Sequence, residues 1–274
     1  MNGKKKRTGI IRIVVMLLIA AVYLSPIYIL IGVAIKSPTD VSSYWKIGNS
    51  VHTQNFIDAI VEGDILRALL NSMIITAFSI ALITVCGALA AYPLTRKRTK
   101  FNNLVKLFSL GIMMVPPLSI LVPLYSTVVN MHGVNHFWGI IVTLVTFELP
   151  LSIFMYSNFI TSIPRALDEA AAIDGCSPAR TFFSILLPQL KPVTASVVIL
   201  SGIHCWNDYQ FSLYMLQSPQ MRTVTLAISS FFSQTTSNLN AAAAAALLAI
   251  LPVTLLFLFL QKYFIQGMVD SAVK

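Results

Sequence analysis

Apolar residues along this chain run in blocks long enough to cross a bilayer, separated by shorter polar stretches. Residues 13–35, 68–94, 104–129, 137–159, 193–216 and 241–259 are such blocks. A helix needs about 20 apolar residues to cross the hydrocarbon core, so six transmembrane helices are predicted. The third block contains Pro116, Pro117 and Pro123. Proline is tolerated at membrane depth only where neighbours satisfy the freed carbonyls, so this span is expected to sit against protein. Pro26 marks a place for a kink in the first span. Between blocks, residues 36–66 are polar with room for a short surface helix, 130–135 read as a turn, and 217–240 as a second polar loop. The run Ala241 to Ala246 suits close approach of helices.

One stretch, residues 163–192, breaks the apolar pattern. Ile163-Pro164 opens a helix, because proline fits the first helical position. Strong helix formers follow from Arg165 to Asp174, and Gly175 then offers the left-handed conformation at which helices stop. At 1.5 Å per residue this helix is about 16 Å long, too short to span. Ser177-Pro178 provides a second cap, so a further helix is expected from Ala179 to Leu187 before Pro188 and Pro192 interrupt it. The unit reads as helix, glycine elbow, helix. Its spacing alone suits either a docking knob or an amphipathic connector.

Composition changes the picture only in degree. The 274 residues are 56% apolar and 11% charged, against roughly 25% charged in soluble proteins. The net charge of +9 is dispersed between apolar blocks rather than gathered on one face, which argues against nucleic-acid binding. The basic start, Lys4 to Arg7 and Arg12, resembles a signal peptide. The apolar run behind it is too long for a signal core and lacks a clear cleavage site, so a retained span is expected. Cys86, Cys176 and Cys205 have neither disulfide nor zinc spacing, and His132 and His136 lack a third ligand.

The elbow also carries a resemblance. Glu169-Ala170-Ala171, Gly175, Ile185 and Leu187-Pro188 match, at every fixed position, the EAA loop of permease subunits in binding-protein-dependent ABC importers. Asn71-Ser72, Ala90-Ala91-Tyr92, Trp206-Asn207-Asp208 and the ending from Lys262 to Lys274 resemble the sugar branch of that family, closest to maltose-permease G subunits. Ser271 stands where that ending has a second glycine. The resemblance covers essentially the whole chain. It implies an all-α type I ABC importer transmembrane domain in a bacterial-type cell membrane, moving a carbohydrate, with oligosaccharides foremost. It also implies a cytoplasmic coupling helix that docks on an ATPase, with Glu169, Ala170, Ala171, Asp174, Gly175, Ile185, Leu187 and Pro188 as coupling residues. The implied partners are a second homologous permease, two ATPase subunits and an extracytoplasmic sugar-binding protein. No cofactor is expected in the chain itself, since it has no G-x-x-x-x-G-K-[ST] loop and ATP would be bound by the partners.

With the elbow inside, fifteen of the 19 Lys and Arg fall in cytoplasmic segments, and only Lys36, Lys46, Arg67 and Arg222 fall outside. Charge bias therefore agrees with the orientation that the resemblance implies, both termini cytoplasmic. Glu148, near the middle of the fourth span, and Asn207 and Asp208, in the polar half of the fifth, are candidates for lining the pathway. For Glu148, packing alone is an equal reading. Two other classes compete. An ion-coupled secondary transporter would use Glu148 and Asp208 as relays, but no inverted repeat is visible. A membrane enzyme would need a catalytic cluster such as H-E-x-x-H or G-x-S-x-G, and neither occurs.

Overall fold

The computed structural model describes residues 2–48, 51–97, 99–232 and 238–272, with the side chains of 2–10 and 262–272 left aside. The expected match at Lys262, Tyr263, Phe264, Gly267 and Ala272 therefore rests outside the described side chains, and Arg98, Val273 and Lys274 outside the described residues. The fold is all-α, as predicted. Among the described residues, four helices contain stretches long and apolar enough to cross a membrane: α1 (Asn2–Ile35), α3 (Ile65–Arg96), α6 (Phe137–Ser162) and α13 (Leu239–Ala272). Two bent helix pairs raise the number to six if each crosses as one.

The chain divides into two units, Met1–Leu66 with Ala227–Ile250, and Arg67–Leu226 with Leu251–Lys274. In the first, α1 runs through Pro26 and ends at Ile35, leaving carbonyls with no partner further along the helix. Polar side chains supply those partners. Asn55, on α2 (Gln54–Val61), is fully buried and donates to the carbonyls of Ala34 and Lys36 at 2.8 Å each. Asn240 donates to the carbonyls of Val33 and Lys36. The Lys36 ammonium turns back to the carbonyls of Ser42 and Ser43, at 2.8 and 3.0 Å. The expected surface helix in 36–66 is thus α2, and it caps a span.

In the second unit the third block departs from expectation. It is not one helix: α4 (Lys100–Ile112) stops, a 3₁₀ turn covers Pro117–Ile120, and α5 (Leu121–Asn130) follows, with a 97° bend across the break. Pro116 and Pro117 cause it, since neither offers an N–H and each pushes its predecessor away from helical geometry. Pro123 lies in the first turn of α5, where the missing N–H has no partner to lose. The stretch sits against its own chain only in part: α4 lies beside α6 but buries no residue, Leu121 and Val128 of α5 join the core, and Phe101, Phe108, Met114 and Val122 are more than two-thirds exposed.

The fifth block, 193–216, also breaks. α10 (Lys191–Trp206) has 16 residues, about 24 Å, and α11 (Gln210–Met215) starts after Tyr209. α3 and α6 exceed their expected bounds by a few residues, while α1 extends well before residue 13 and α13 well past residue 259. Between α3 and α6 the backbones come close at Gly87, where an added Cβ would run into Ser152. The Ser152 hydroxyl donates to the Ile83 carbonyl at 3.1 Å. Asn71, in α3, donates to the carbonyls of Gln220 and Arg222, and the Ser72 hydroxyl accepts from the Val224 N–H. The expected loop 217–240 is therefore partly ordered, with α12 over Val224–Ser229, while residues 233–237 are outside the described residues.

Candidate functional site

The elbow is built as its residue types dictate. Its first helix, α7, covers Ala166–Ile173, with Asp168 and Glu169 in the first turn, where carboxylates favour the positive end of the helix dipole. Its end is a Schellman motif: the Cys176 N–H reaches the Ala171 carbonyl at 2.9 Å, and the Gly175 N–H reaches Ala172 at 3.1 Å. Gly175 sits at φ +78°, the left-handed region that glycine enters without a Cβ penalty. Ser177 then caps α8 (Pro178–Thr181), its hydroxyl accepting from the Arg180 N–H.

Beyond α8 the expected helix to Leu187 is modified. Phe182–Leu186 form a π-helical turn, α9 is only Leu187–Gln189, and a 74° bend separates Pro178–Gln189 from α10. Pro188 has no N–H to return to Ser184 and its ring crowds that carbonyl, so the preceding turn widens.

Side chains divide this loop into a held face and a free face. Ala171 is buried, while Glu169, Ala170, Asp174 and Gly175 are exposed and Ile173 is 87% exposed. Nothing lies within 4 Å of where a Cβ on Gly175 would stand. Of the second-arm positions, Ile185 is half-buried and Leu187 and Pro188 are exposed. The anchors are instead Phe182, Leu186 and Leu190, all buried and spaced by four. That spacing was visible in the sequence; which face of it would be covered was not.

The loop is tied to the end of α3. Arg96 Nη2 lies 2.9 Å from Asp168 Oδ2, off the hydrogen-bonding line, and donates to the Ile163 carbonyl at 3.1 Å. The Tyr92 hydroxyl donates to Asp168 Oδ1 at 3.1 Å. The Tyr92 ring packs on Phe182, with centroids 5.3 Å apart. Beside these contacts a cleft of 540 Å³ is lined by Arg96, Lys106, Arg165, Thr95, Asn103 and Ser162 among others. From the sequence Arg96 counted only as one of the cytoplasmic charges, and Asp168 was not singled out. Their only signal was position, one ending a span and the other preceding Glu169.

The pathway candidates do not form one cluster of bonded groups. Glu148 Oε1, on α6, lies 3.0 Å from His204 Nδ1, on α10; the carboxylate side chain is 16% exposed and the imidazole 56%. Glu148 Oε2 has no hydrogen-bond partner. Asp208 instead starts α11: its carboxylate accepts from the Phe211 and Ser212 N–H groups and from the Ser212 hydroxyl, and its carbonyl accepts from Thr225. Asn207 is exposed in the break between α10 and α11. A Ser or Asn at the Asp208 position would also cap, so the carboxylate there has a structural task whatever else it does.

Residues 83–270 match the family described as the binding-protein-dependent transport system inner membrane component. The chain is 43% identical over 272 residues to the melibiose/raffinose/stachyose import permease protein MelC of Bacillus subtilis (strain 168), covering 98% of each. It is 30% identical over 259 residues to the probable starch degradation products transport system permease protein AmyC of Thermoanaerobacterium thermosulfurigenes, covering 94% of each. In fold it is similar to a chain of a bacterial ABC transporter that imports the acidic polysaccharide alginate, with TM-score 0.79, 18% identity, and coverage of 95% of this chain and 98% of that one. The MetNI methionine ABC transporter gives TM-score 0.60 at 17% identity, over 74% of this chain and 95% of that one.

These matches leave the ion-coupled transporter without support, and the membrane enzyme with it. Permeases of this kind cross the membrane several times and work with separate ATPase subunits and a substrate-binding protein. With its all-α fold, its bent spans and its exposed glycine elbow, the chain belongs to the family of binding-protein-dependent transport system inner membrane components.

Proposed function

We propose that this chain is one permease half of an ATP-driven importer for α-galactoside oligosaccharides of the raffinose kind, coupled to its ATPases through α7 and Gly175. The observation that carries the cargo is the 43% identity, over nearly the full length of both chains, to a permease named for melibiose, raffinose and stachyose. The coupling assignment rests on the elbow itself. Its backbone is locked by a cap at each arm while Glu169, Ile173 and Asp174 project outward with no role in holding the subunit together.

In this reading a second, homologous permease supplies the other half of the pathway. The exposed apolar surfaces of α4 and α5 are available for it or for lipid. ATPase closure moves the elbow and rocks the spans between inward-open and outward-open arrangements. In the complex reconstituted with its ATPases and binding protein, raffinose uptake is expected to require ATP on the ATPase side and to ignore an imposed proton or sodium gradient. Gradient-driven uptake without ATP sinks the proposal.

Orientation follows from charge. Residues around the elbow, among them Arg96, Lys97, Lys100, Lys106, Arg165 and Arg180, form the basic end of the spans, which favours the cytoplasm. A cysteine placed at Thr99 is expected to resist an impermeant thiol reagent in intact cells and to react after lysis. Strong labelling of intact cells at that position reverses the orientation.

A further inference from the structure

We propose that Arg96, together with Tyr92, is a positioning residue that clamps the elbow to the end of α3, so that a thrust on α7 displaces that helix directly. The proposal rests on the coupling reading above.

The covalent connections of the elbow are poor levers. It leaves α6 through Ile163, whose backbone is extended at φ −80°, ψ 126°, and it joins α10 across a 74° bend. Extended and bent junctions at element ends are where hinge motions are absorbed. A push on α7 that travelled only through them would fold the elbow rather than move a span.

The non-covalent connection is direct. Tyr92 and Arg96 are four residues apart and so share a face at the end of a 32-residue helix. Both reach Asp168, in the first turn of α7. Arg96 also holds the Ile163 carbonyl, and Arg165 Nη2 lies 3.5 Å from the Thr95 carbonyl, so the hinge itself is bridged. Through its ring Tyr92 touches Phe182 on the second arm. One helix end therefore grips both arms. With Arg96 and Asp168 side chains only 10% and 20% exposed, salt screens this pair less than it screens a surface pair.

The test is a distance measured inside one subunit of the full complex. Spin labels at Ile173 and Lys97, both exposed, are placed after Cys86, Cys176 and Cys205 are replaced by serine. In the native pair the distance distribution is expected to be narrow and unchanged between the nucleotide-free state and the state trapped with ATP and vanadate. In Asp168→Asn it is expected to shift or broaden in the trapped state, and raffinose uptake per ATP hydrolysed is expected to fall about tenfold. Exchanging the charges, Arg96→Asp with Asp168→Arg, is expected to restore both in part, since the ion pair returns without the bonds to the Ile163 carbonyl and from the Tyr92 hydroxyl.

A native distance that changes on trapping, an Asp168→Asn variant that behaves as native, or an exchange that restores neither readout overturns the clamp. If Asp168→Asn does not assemble, Tyr92→Phe removes only the hydroxyl: partial broadening supports the clamp and an unchanged distribution overturns it. Glu169→Lys separates the two readings. Full binding-protein-stimulated hydrolysis in that variant counts against docking through α7, whereas the intrasubunit distance reports on the clamp alone.

Discussion

Gly175→Leu is expected to leave the subunit inserted and assembled with its partners while reducing binding-protein-stimulated hydrolysis and uptake by about tenfold or more. The backbone at this position is left-handed, so any residue with a Cβ carries a strain of roughly 1–2 kcal/mol. That strain alone is too small to unfold the packed spans. Within the subunit the new Cβ stands in open space, since no atom lies within 4 Å of it, and the position is exposed. A severe loss of function must then arise from what covers the exposed tip in the complex. Gly175→Ala provides the control, carrying the same strain with little bulk, and is expected to retain most of the uptake. Glu169→Lys is expected to be milder than Gly175→Leu, because a surface charge contact is often worth under about 1 kcal/mol. Full stimulated hydrolysis and uptake by an assembled Gly175→Leu complex makes the elbow a plain connector.

Gly87→Leu is expected to act in the opposite way, through the fold. An added Cβ there collides with Ser152 on the facing helix α6, whose hydroxyl and Cβ already fill the gap, and the Tyr156 ring stands 3.5 Å away. Overpacking of this kind costs about 1–3 kcal/mol, and more where a whole isobutyl group must be accommodated. Small residues at such crossings are what let membrane helices approach. The expected result is a poorly assembled subunit with a lowered melting temperature in detergent. Moving the small residue across the interface should recover most of the loss: Gly87→Ala with Ser152→Gly removes both atoms that the new Cβ would strike. Normal thermal stability of Gly87→Leu, or no advantage of the exchanged pair over Gly87→Ala alone, means that α3 and α6 are not in close register at this point.

Local chemistry made much of this protein legible in advance. Block length located four single crossing helices, because a helix of about 20 apolar residues satisfies its own backbone in lipid, while the other two blocks became bent pairs. The elbow came from Pro164, Gly175 and Ser177-Pro178, because caps depend on backbone conformations that few residue types favour. The structure places Gly175 in the conformation expected of it and ends α7 within a residue or two of the expected boundary. Even the missed break in the third block had its cause in the sequence, at Pro116-Pro117. The error was to treat the block's apolar length as overriding two adjacent prolines.

Other features depend on residues far apart in the chain, and no local rule reaches them. Asp168 and Arg96 each look like an ordinary surface charge; the fold makes them partners across 72 positions of sequence. Glu148 acquires His204 in the same way, and the Asp208 carboxylate gains a structural task, accepting the first N–H groups of α11, once α10 stops at Trp206. What the sequence determined by itself was where helices start, stop and cross, because apolar length and backbone preference act within a few residues. Which charges meet, which face of the elbow is held and which is left for a partner was decided only by the packing of α3, α6 and α10, because electrostatic pairing and burial depend on distance in space rather than along the chain.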